Sequence, residues 1–287
     1  MTAVISPAIR YHGGKFRLAP WILQHFPAHR IYCEPFGGAA GVLIQKPRAY
    51  SEIYNDLDGE LVNFFRVVQD AGLRDRLVEA CVLTPYARAE FDLAWVPTED
   101  PLERARRLII RAQMGFGSAG ATKGTTGFRI DTKREYETAQ HVWAQYTSQL
   151  AALGLRLTGV LIENRPAIEI IQAHDHPQTL FYVDPPYIHD TRCRVSMGTD
   201  RGYRCEMTDD DHLALLNVLQ AVEGMVILSG YPHPLYEDSL EGWIRYDKRA
   251  RISGGRGTSM RTECLWINPA CQRARPALQL AMDLARA

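Results

Sequence analysis

Short apolar runs alternate with amphipathic segments along most of the chain. The runs predict strands at 31–34, 52–55, 158–162, 180–183, 225–228, 243–247 and 263–267. Helical spacing of apolar residues predicts helices that begin near Val42, Gly59, Pro101 and Thr208. Strands that alternate with helices indicate an α/β fold with a mainly parallel sheet. The last two strands, which flank a glycine-rich loop, predict an antiparallel edge hairpin.

Two of the predicted helices carry their own start signals. Asp100 precedes Pro101 and Glu103, which is the order of an N-cap, a first-turn proline and a capping glutamate. Thr208 stands three residues before Asp211, the spacing at which each side chain can bond to the other's backbone N–H. These signals predict helices over the apolar positions that follow.

The rhythm of strands and helices breaks between 84 and 157. Residues 114–129 are dense in glycine, carry basic side chains and contain Phe116 and Phe128. Such a sequence packs poorly as core and suits a loop or hairpin that contacts a ligand, although a plain surface loop has the same composition. We therefore predict a small inserted module at 84–157, with residues 1–83 and 158–287 forming the main domain.

The most specific motif is Asp184-Pro185-Pro186-Tyr187, directly after the apolar run at 180–183. Two prolines end a strand abruptly, and the carboxyl end of a strand in an α/β sheet opens into the ligand crevice. The motif therefore places a carboxylate, a carbonyl oxygen and an aromatic ring at the mouth of a site. Two acceptors and one stacking surface are the groups needed to hold a planar amine. A strand that simply ends in a Pro-Pro turn is the structural alternative.

A second candidate site follows the strand at 31–34. Glu34 leads into Phe36-Gly37-Gly38-Ala39-Ala40-Gly41, whose small residues let a backbone approach a ligand closely. This is not a dinucleotide fingerprint, and a tight turn explains a lone glycine-rich segment equally well. Asp56 ends the next strand, where α/β nucleotide sites often keep an acid for ribose hydroxyls, but it could also cap the helix that follows.

Composition is that of a globular protein, with 46% hydrophobic and 23% charged residues among 287. The net charge is zero, which argues against indiscriminate coating of nucleic acid. Basic residues nevertheless cluster at 104–134, 192–204 and 245–261. Three clusters on a neutral chain indicate a local polyanion surface, while each cluster alone could be a solvated face.

Cysteine usage and the N-terminus indicate an intracellular protein. The six cysteines are scattered without a C-x-x-C pair, which predicts neither a zinc site nor a disulfide framework and fits a reducing compartment. Residues 1–15 lack the pattern of a secretory leader, and no apolar run reaches the length of a membrane span. We expect a cytoplasmic protein with no metal and no membrane contact.

Four motifs together resemble a known family. They are Arg10-Tyr11-His12-Gly13-Gly14-Lys15, the segment from Glu34 to Gly41, Asn55-Asp56 and Asp184-Pro185-Pro186-Tyr187, in this order. The order resembles the α-class N6-adenine DNA methyltransferases, the group of the bacterial DNA adenine methylase, and especially their phage and prophage branch. The resemblance extends from Ile9 to Pro269. The inserted segment lacks the aromatic-asparagine-glycine pattern of GATC-reading members, so the DNA site stays open.

The resemblance implies S-adenosylmethionine as cofactor and double-stranded DNA as substrate. Asp184 and the Pro185 carbonyl would hold the amine of a flipped adenine, with Pro186 completing the motif and Tyr187 stacking on the base. The implied cofactor residues are Tyr11, Lys15, Glu34, Phe36, Gly37, Gly38, Ala39, Gly41, Asp56, Asn164, Arg165 and Asp184. The predicted DNA-binding residues are Arg111, Phe116, Ser118, Lys123, Arg129, Arg192 and Arg256. A bacterial or phage-encoded enzyme acting on the nucleoid would follow, with or without a partner restriction endonuclease.

Three other functions stay open on sequence. An N4-cytosine DNA methyltransferase uses the same chemistry, and a nucleoside digest of methylated DNA would separate the two. A catalytically silent DNA-binding regulator on the same scaffold is disfavoured because Lys15, Asp56 and Asp184 are all present. A small-molecule or protein methyltransferase would need no basic insert, so salt-sensitive DNA binding would discriminate.

Overall fold

The computed structural model describes residues 4–122, 126–130, 138–188, 203–254 and 257–275. Within these residues seven strands form one sheet. They are β1 (Ile31–Glu34), β2 (Ser51–Asn55), β3 (Val160–Glu163), β4 (Thr179–Val183), β5 (Met225–Gly230), β6 (Ile244–Gly254) and β7 (Gly257–Ile267). Each predicted strand is present, and the last two are longer than the apolar runs that predicted them.

The sheet order is β3-β2-β1-β4-β5-β7-β6. The pairs β3–β2, β2–β1, β1–β4 and β4–β5 are parallel, whereas β7 pairs antiparallel with both β5 and β6. The predicted fold class, a mainly parallel sheet with an antiparallel edge hairpin, is confirmed. The order reverses between β1 and β4, which is where open α/β sheets bind ligands.

Both faces of the sheet are covered by apolar side chains, as buried parallel strands require. Along β4, Leu180 and Tyr182 join the core cluster on one face, while Phe181 and Val183 join the cluster on the other. All five residues of β4 are buried. This central strand therefore carries Asp184 out of a rigid, two-sided core.

Ten helices are present in the part of the chain that the structure describes. They are α1 (Ala19–Leu23), α2 (Gly59–Gln69), α3 (Ala71–Val82), α4 (Arg88–Leu93), α5 (Pro101–Met114), α6 (Ala139–Leu157), α7 (Ala167–Ala173), α8 (Asp209–Ala221), α9 (Pro234–Ser239) and α10 (Pro269–Ala274). Both predicted N-caps are present: Asp100 accepts from the N–H of Leu102, and Thr208 and Asp211 form a capping box. The Glu103 side chain accepts from Arg106 and Arg107 rather than from the backbone N–H of Asp100. A separate residue, Asp58, caps α2.

The helix predicted to begin at Val42 is wrong. Residues 41–45 form turns, with the Ile44 N–H donating to the Ala40 carbonyl at 3.1 Å. The reason is the short space available: Ala40 has a φ of +54°, and Pro47 disfavours helical backbone at the residue before it. Only one turn fits between these two positions.

The segment predicted as an inserted module, 84–157, contains α4, α5 and α6. Its apolar side chains, including Leu108, Trp143 and Leu150, belong to the same core cluster as Phe65 of α2. Gly115 and Phe128 form an isolated antiparallel bridge after α5. The division into a main domain and a recognition insert stays a prediction.

Candidate active site

A cleft of about 880 Å³ of empty space, its open mouth included, lies at the carboxyl edge of β1, β2 and β4. The structure brings almost every predicted cofactor residue to its wall: Tyr11, Lys15, Glu34, Phe36, Gly37, Gly38, Ala39, Gly41, Asp56, Arg165 and Asp184 all line it. Asn164 does not line the cleft.

The glycine-rich turn at 36–41 is anchored to the end of β2. The Gly37 N–H donates to the Asn55 carbonyl at 2.7 Å, and the Tyr54 hydroxyl donates to the Gly38 carbonyl at 2.8 Å. A Cβ on Gly37 would lie 2.1 Å from the Tyr54 ring. Gly37 is therefore required by packing against β2, in addition to any approach of a ligand.

Asn55 joins this turn to the segment before α7. Its amide group donates to the carbonyls of Pro35 at 2.8 Å and Arg165 at 2.9 Å, and its side-chain oxygen accepts from the Arg165 N–H. Asn164 donates to the Asp56 carbonyl at 2.7 Å. Asn164 therefore supports the cleft from outside, whereas the Arg165 backbone is fixed at its wall.

Asp56 is a half-buried acceptor of hydrogen bonds from this turn. One carboxylate oxygen accepts from the Gly38 N–H and the other from the Asp58 N–H, both at 2.8 Å. Burial outweighs these hydrogen bonds and raises the pKa of Asp56 to about 6. Because Asp58 rather than Asp56 caps α2, the capping alternative for Asp56 is wrong.

Glu34 is a second buried acid in the same cleft and is 2% exposed. The Tyr32 hydroxyl donates to its Oε1 at 2.6 Å. Burial raises the pKa of Glu34 to about 8, although this bond, a backbone bond from Leu43 and the charge of Lys46 oppose the shift. Glu34 thus carries a proton at neutral pH unless a cation approaches it.

Asp184, which is half-buried, and Lys15, which is buried, form an ion pair between the last and the first of the four motifs. Lys15 Nζ donates to Asp184 Oδ2 at 2.9 Å and to the Gly13 carbonyl at 3.1 Å. Burial raises the pKa of Asp184, with the charge of Lys15 acting against it. Burial alone would lower the pKa of Lys15, but Asp184 and Glu263 reverse this and raise it, so Lys15 stays protonated.

The second oxygen of Asp184 is the notable acceptor in the cleft. Oδ1 also lies 2.9 Å from Lys15 Nζ, and Ser229 is close enough to Asp184 to lower its pKa through a hydrogen bond, but Oδ1 itself accepts no hydrogen bond of acceptable geometry from the described residues. A buried carboxylate oxygen in that state favours an incoming N–H donor. Asp184 can therefore bind a polar hydrogen without first giving up its bond to Lys15.

The rest of the Asp184 motif is only partly at the cleft wall. Pro186 lines the cleft, whereas Pro185 and Tyr187 do not. Tyr187 is 7% exposed. The centroid of its ring lies 4.3 Å from the centroid of the Tyr231 ring and 4.7 Å from Lys15 Nζ. Stacking of Tyr187 on a base stays a prediction.

Sequence reasoning missed the part of the cleft wall that the segment before α8 contributes. Tyr203, Cys205, Glu206 and Met207 all line it. The Tyr203 ring packs against the rings of Tyr11 and His12, with centroids 6.4 and 5.4 Å away. Gly13, at a φ of +73°, has no room for a side chain because a Cβ would lie 2.2 Å from the Tyr203 hydroxyl oxygen. In the sequence, only the adjacent residues Gly13 and Gly14 indicated a close contact at this position.

The predicted DNA-binding residues are scattered in their environments. Phe116 is 61% exposed, and Ser118 is partly buried. Arg111 and Arg129 are each 8% exposed; Arg111 donates to the Ala94 carbonyl at 2.7 Å. Lys123, Arg192 and Arg256 lie outside the described residues. Of this set, only Phe116 is presented openly to solvent in the described part of the chain, and its contact with DNA stays a prediction.

The described ranges contain neither a metal-binding cluster nor a membrane-spanning helix. No group of His, Cys, Asp and Glu side chains there is arranged to hold a metal ion. None of the helices there combines the length and the apolar character needed to cross a membrane.

Comparison with known proteins gives a family match over part of the chain and a distant similarity to solved structures. Residues 11–93 match the family model for D12 class N6 adenine-specific DNA methyltransferase. No curated protein matches the sequence significantly. Among solved structures, the chain is similar to precorrin 8W decarboxylase of Methanobacterium thermoautotrophicum, with 9% identity, 88% of this chain and 89% of that chain covered, and a TM-score of 0.35. A similarity this weak carries no argument.

The residues that match the family model form part of the cleft wall. They include Tyr11, Lys15, Glu34, the glycine-rich turn and Asp56. The match supports methylation of adenine in DNA, as the motif order predicts. Similarity to the D12 class N6 adenine-specific DNA methyltransferase family is thus found over residues 11–93 of the chain.

Proposed function

We propose that the protein is a site-specific DNA methyltransferase that transfers a methyl group from S-adenosylmethionine to N6 of an adenine flipped out of double-stranded DNA. The observation that carries this proposal is Asp184. Its Oδ1 is a buried acceptor without a hydrogen bond from the described residues, at the wall of a cleft shared with the glycine-rich turn and Asp56.

The donor and acceptor groups of the cleft fit the cofactor. S-adenosylmethionine is cationic at its ammonium and sulfonium groups and would supply an electrophilic methyl group. Glu34 would accept from its ammonium group, Asp56 would accept from its ribose hydroxyls, and the backbone of residues 36–41 would approach it closely. Tyr11, Phe36 and Met207 would provide the apolar part of the wall.

Asp184 would then act on the target amine. The lone pair of the exocyclic nitrogen is delocalised into the adenine ring, so the amine is a weak nucleophile. Hydrogen bonds to Asp184 and to the Pro185 carbonyl would favour a pyramidal amine whose lone pair can form the new N–C bond. The bond between sulfur and the methyl carbon would break at the same time, its electron pair would stay on sulfur as the thioether, and the methylated amine would then lose one proton to water. Asp184 would also stabilise the positive charge that develops on nitrogen, which is the largest contribution we assign to a single side chain.

Lys15 would keep Asp184 in the form that accepts. Burial favours the protonated acid, and the charge of Lys15 is the largest effect that opposes it, with hydrogen bonds from Lys15 and Ser229 adding to it. The ion pair at 2.9 Å supplies that cation and also fixes the carboxylate plane. Orientation of the acceptor before the substrate arrives reduces the reorganisation that the reaction requires.

The adenine must leave the duplex because the amine lies inside the base stack. Tyr187 would offer a stacking surface in exchange, and the insert at 84–157 would contact DNA, with Phe116 as its exposed aromatic residue. The free, mostly buried cysteines fit the cytoplasmic location that we propose.

The test is methylation of random-sequence DNA by the purified protein, followed by a nucleoside digest and modification-aware sequencing. The proposal predicts N6-methyladenine at one short sequence motif. N4-methylcytosine instead would support the cytosine alternative, and no methylated base in the presence of bound DNA would support the silent regulator.

A further inference from the structure

Glu263 is a buried carboxylate beside the proposed catalytic residues that no sequence motif predicted. It lies on β7 and is 6% exposed. β7 runs antiparallel to β5, with Cys264 opposite Gly230, the last residue of β5. The residues of β7 before Cys264 therefore extend past the carboxyl end of β5, toward the edge where Asp184 lies. A parallel strand would bring its early residues to the opposite edge.

Glu263 holds the last residue of the Asp184 motif. The Tyr187 hydroxyl donates to Glu263 Oε2 at 2.8 Å, with both side chains buried. Residues 184–188 follow the end of β4 and have no ladder hydrogen bonds of their own. The orientation of Tyr187 thus depends on its side-chain contacts, and the bond to Glu263 fixes the far end of the ring.

The neighbours of Tyr187 explain why its orientation matters. Lys15 Nζ lies 4.7 Å from the centroid of its ring, and the same Nζ donates to Asp184. Tyr231 packs against Tyr187 from another direction, and the guanidinium of Arg261 lies 5.1 Å from the centroid of the Tyr231 ring. A rotation of Tyr187 would therefore disturb the cation that orients Asp184.

We propose that Glu263 is a positioning residue for methyl transfer: it fixes Tyr187 through its hydroxyl, and Tyr187 in turn fixes Lys15 and the surface offered to the flipped base. This inference rests on the proposed function and adds a residue from the edge hairpin to it. The hydrogen bond from Tyr187 to Glu263, rather than the negative charge of Glu263 alone, positions these residues.

The test is a double-mutant cycle of Glu263→Ala and Tyr187→Phe, read by single-turnover methylation of adenine at saturating DNA and cofactor. Each single variant is expected to lower the rate constant roughly tenfold to a hundredfold, as misplacement of a reacting group does. The double variant should be no slower than the slower single variant, because both remove the same bond. Glu263→Gln keeps an acceptor oxygen and should regain most of the rate.

Tyr236→Phe is the matched control. Tyr236 is also a buried tyrosine, 2% exposed, whose hydroxyl lies 3.0 Å from His212 Nδ1, but it does not line the cleft. Its loss should lower the thermal midpoint without lowering the rate constant. Thermal unfolding of every variant separates these effects, and if Glu263→Ala does not fold, Tyr187→Phe and Glu263→Gln still decide the matter.

The outcomes separate the two proposals. Wild-type protein that forms no N6-methyladenine overturns the proposed function and this inference with it. Wild-type protein that methylates adenine, together with additive losses in the cycle or wild-type rates in both single variants, overturns the positioning role of Glu263 alone.

Discussion

Lys15 Nζ donates to Asp184 Oδ2 at 2.9 Å across 169 positions of sequence. The bond joins the first motif of the chain to the last of the four that predicted its family. Lys15 is buried and the Asp184 side chain is only 17% exposed, so water screens the two charges weakly. The pair therefore sets the protonation state of the residue to which we assign the central role.

Lys15→Met should make the reaction more sensitive to acid. Burial raises the pKa of Asp184, and Lys15 is the first group that opposes this shift. Without the cation the pKa of Asp184 rises further, so the protonated form, which cannot accept, persists to higher pH. The low-pH limb of single-turnover methylation should move to higher pH, while Lys248→Met, at a lysine outside the cleft lining, should leave it in place. An unchanged low-pH limb in Lys15→Met would mean that Lys15 does not control the protonation of Asp184.

Cofactor affinity should fall below about pH 6. The pKa of Asp56 is raised to about 6, and only the carboxylate can accept from two ribose hydroxyls. Protonation of Asp56 therefore weakens binding below this pH, in addition to any pH dependence that Glu34 contributes at higher pH. Calorimetry between pH 5 and 8 measures the trend, and Asp56→Asn should bind weakly and lose the fall in affinity below about pH 6. A wild-type profile without that fall would remove Asp56 from the site.

Cofactor binding at pH 7 should release a proton from Glu34. The pKa of Glu34 is raised to about 8, so the free protein holds this group mainly protonated. The ammonium group of S-adenosylmethionine favours the carboxylate and lowers that pKa on binding. The binding enthalpy should then differ between buffers of different ionisation enthalpy. Glu34→Gln should show equal enthalpies, and equal enthalpies in the wild-type protein would contradict the assignment.

Gly37→Ala should destabilise the protein even without cofactor. A Cβ at this position would lie 2.1 Å from Cε2 of the Tyr54 ring, which is fully buried. Overpacking of this kind costs about 1–3 kcal/mol. Urea unfolding measures the loss, and Gly127→Ala serves as the control because a Cβ there meets nothing within 4 Å. Equal stability of the two variants would mean that the turn moves freely away from β2.

The elements that sequence predicted well are those set by local signals. The run at 180–183 and its two prolines located the end of β4, and the Thr208–Asp211 spacing located the start of α8. The glycine-rich turn and Asp56 lie in one cleft because the carboxyl ends of neighbouring parallel strands share an edge. Each of these inferences depends on residues within a few positions of one another.

The missed features depend on contacts between distant segments. Glu263 reaches Tyr187 only because β7 is antiparallel in an otherwise parallel sheet, and its sequence has no distinguishing motif. Tyr203 covers the first motif across a long span of chain. The turn after Ala40 was mistaken for a helix because its apolar residues satisfy helical spacing, while the positive φ that limits it falls on a residue other than glycine.

The most direct measurement is single-turnover transfer of labelled methyl groups to adenine by Asp184→Asn and Asp184→Ala, compared with wild type. Both variants should fold and bind DNA and cofactor. Asp184→Asn removes the negative charge but keeps an oxygen that can accept from Lys15. It therefore still provides a folded comparison if Asp184→Ala does not fold.

Removing one preorganised group that stabilises developing charge typically costs about a hundredfold or more in rate. The account predicts a loss of that size in both Asp184 variants, with N6-methyladenine as the product of the wild-type protein. A folded Asp184→Ala protein that methylates adenine within a few-fold of wild type would contradict it.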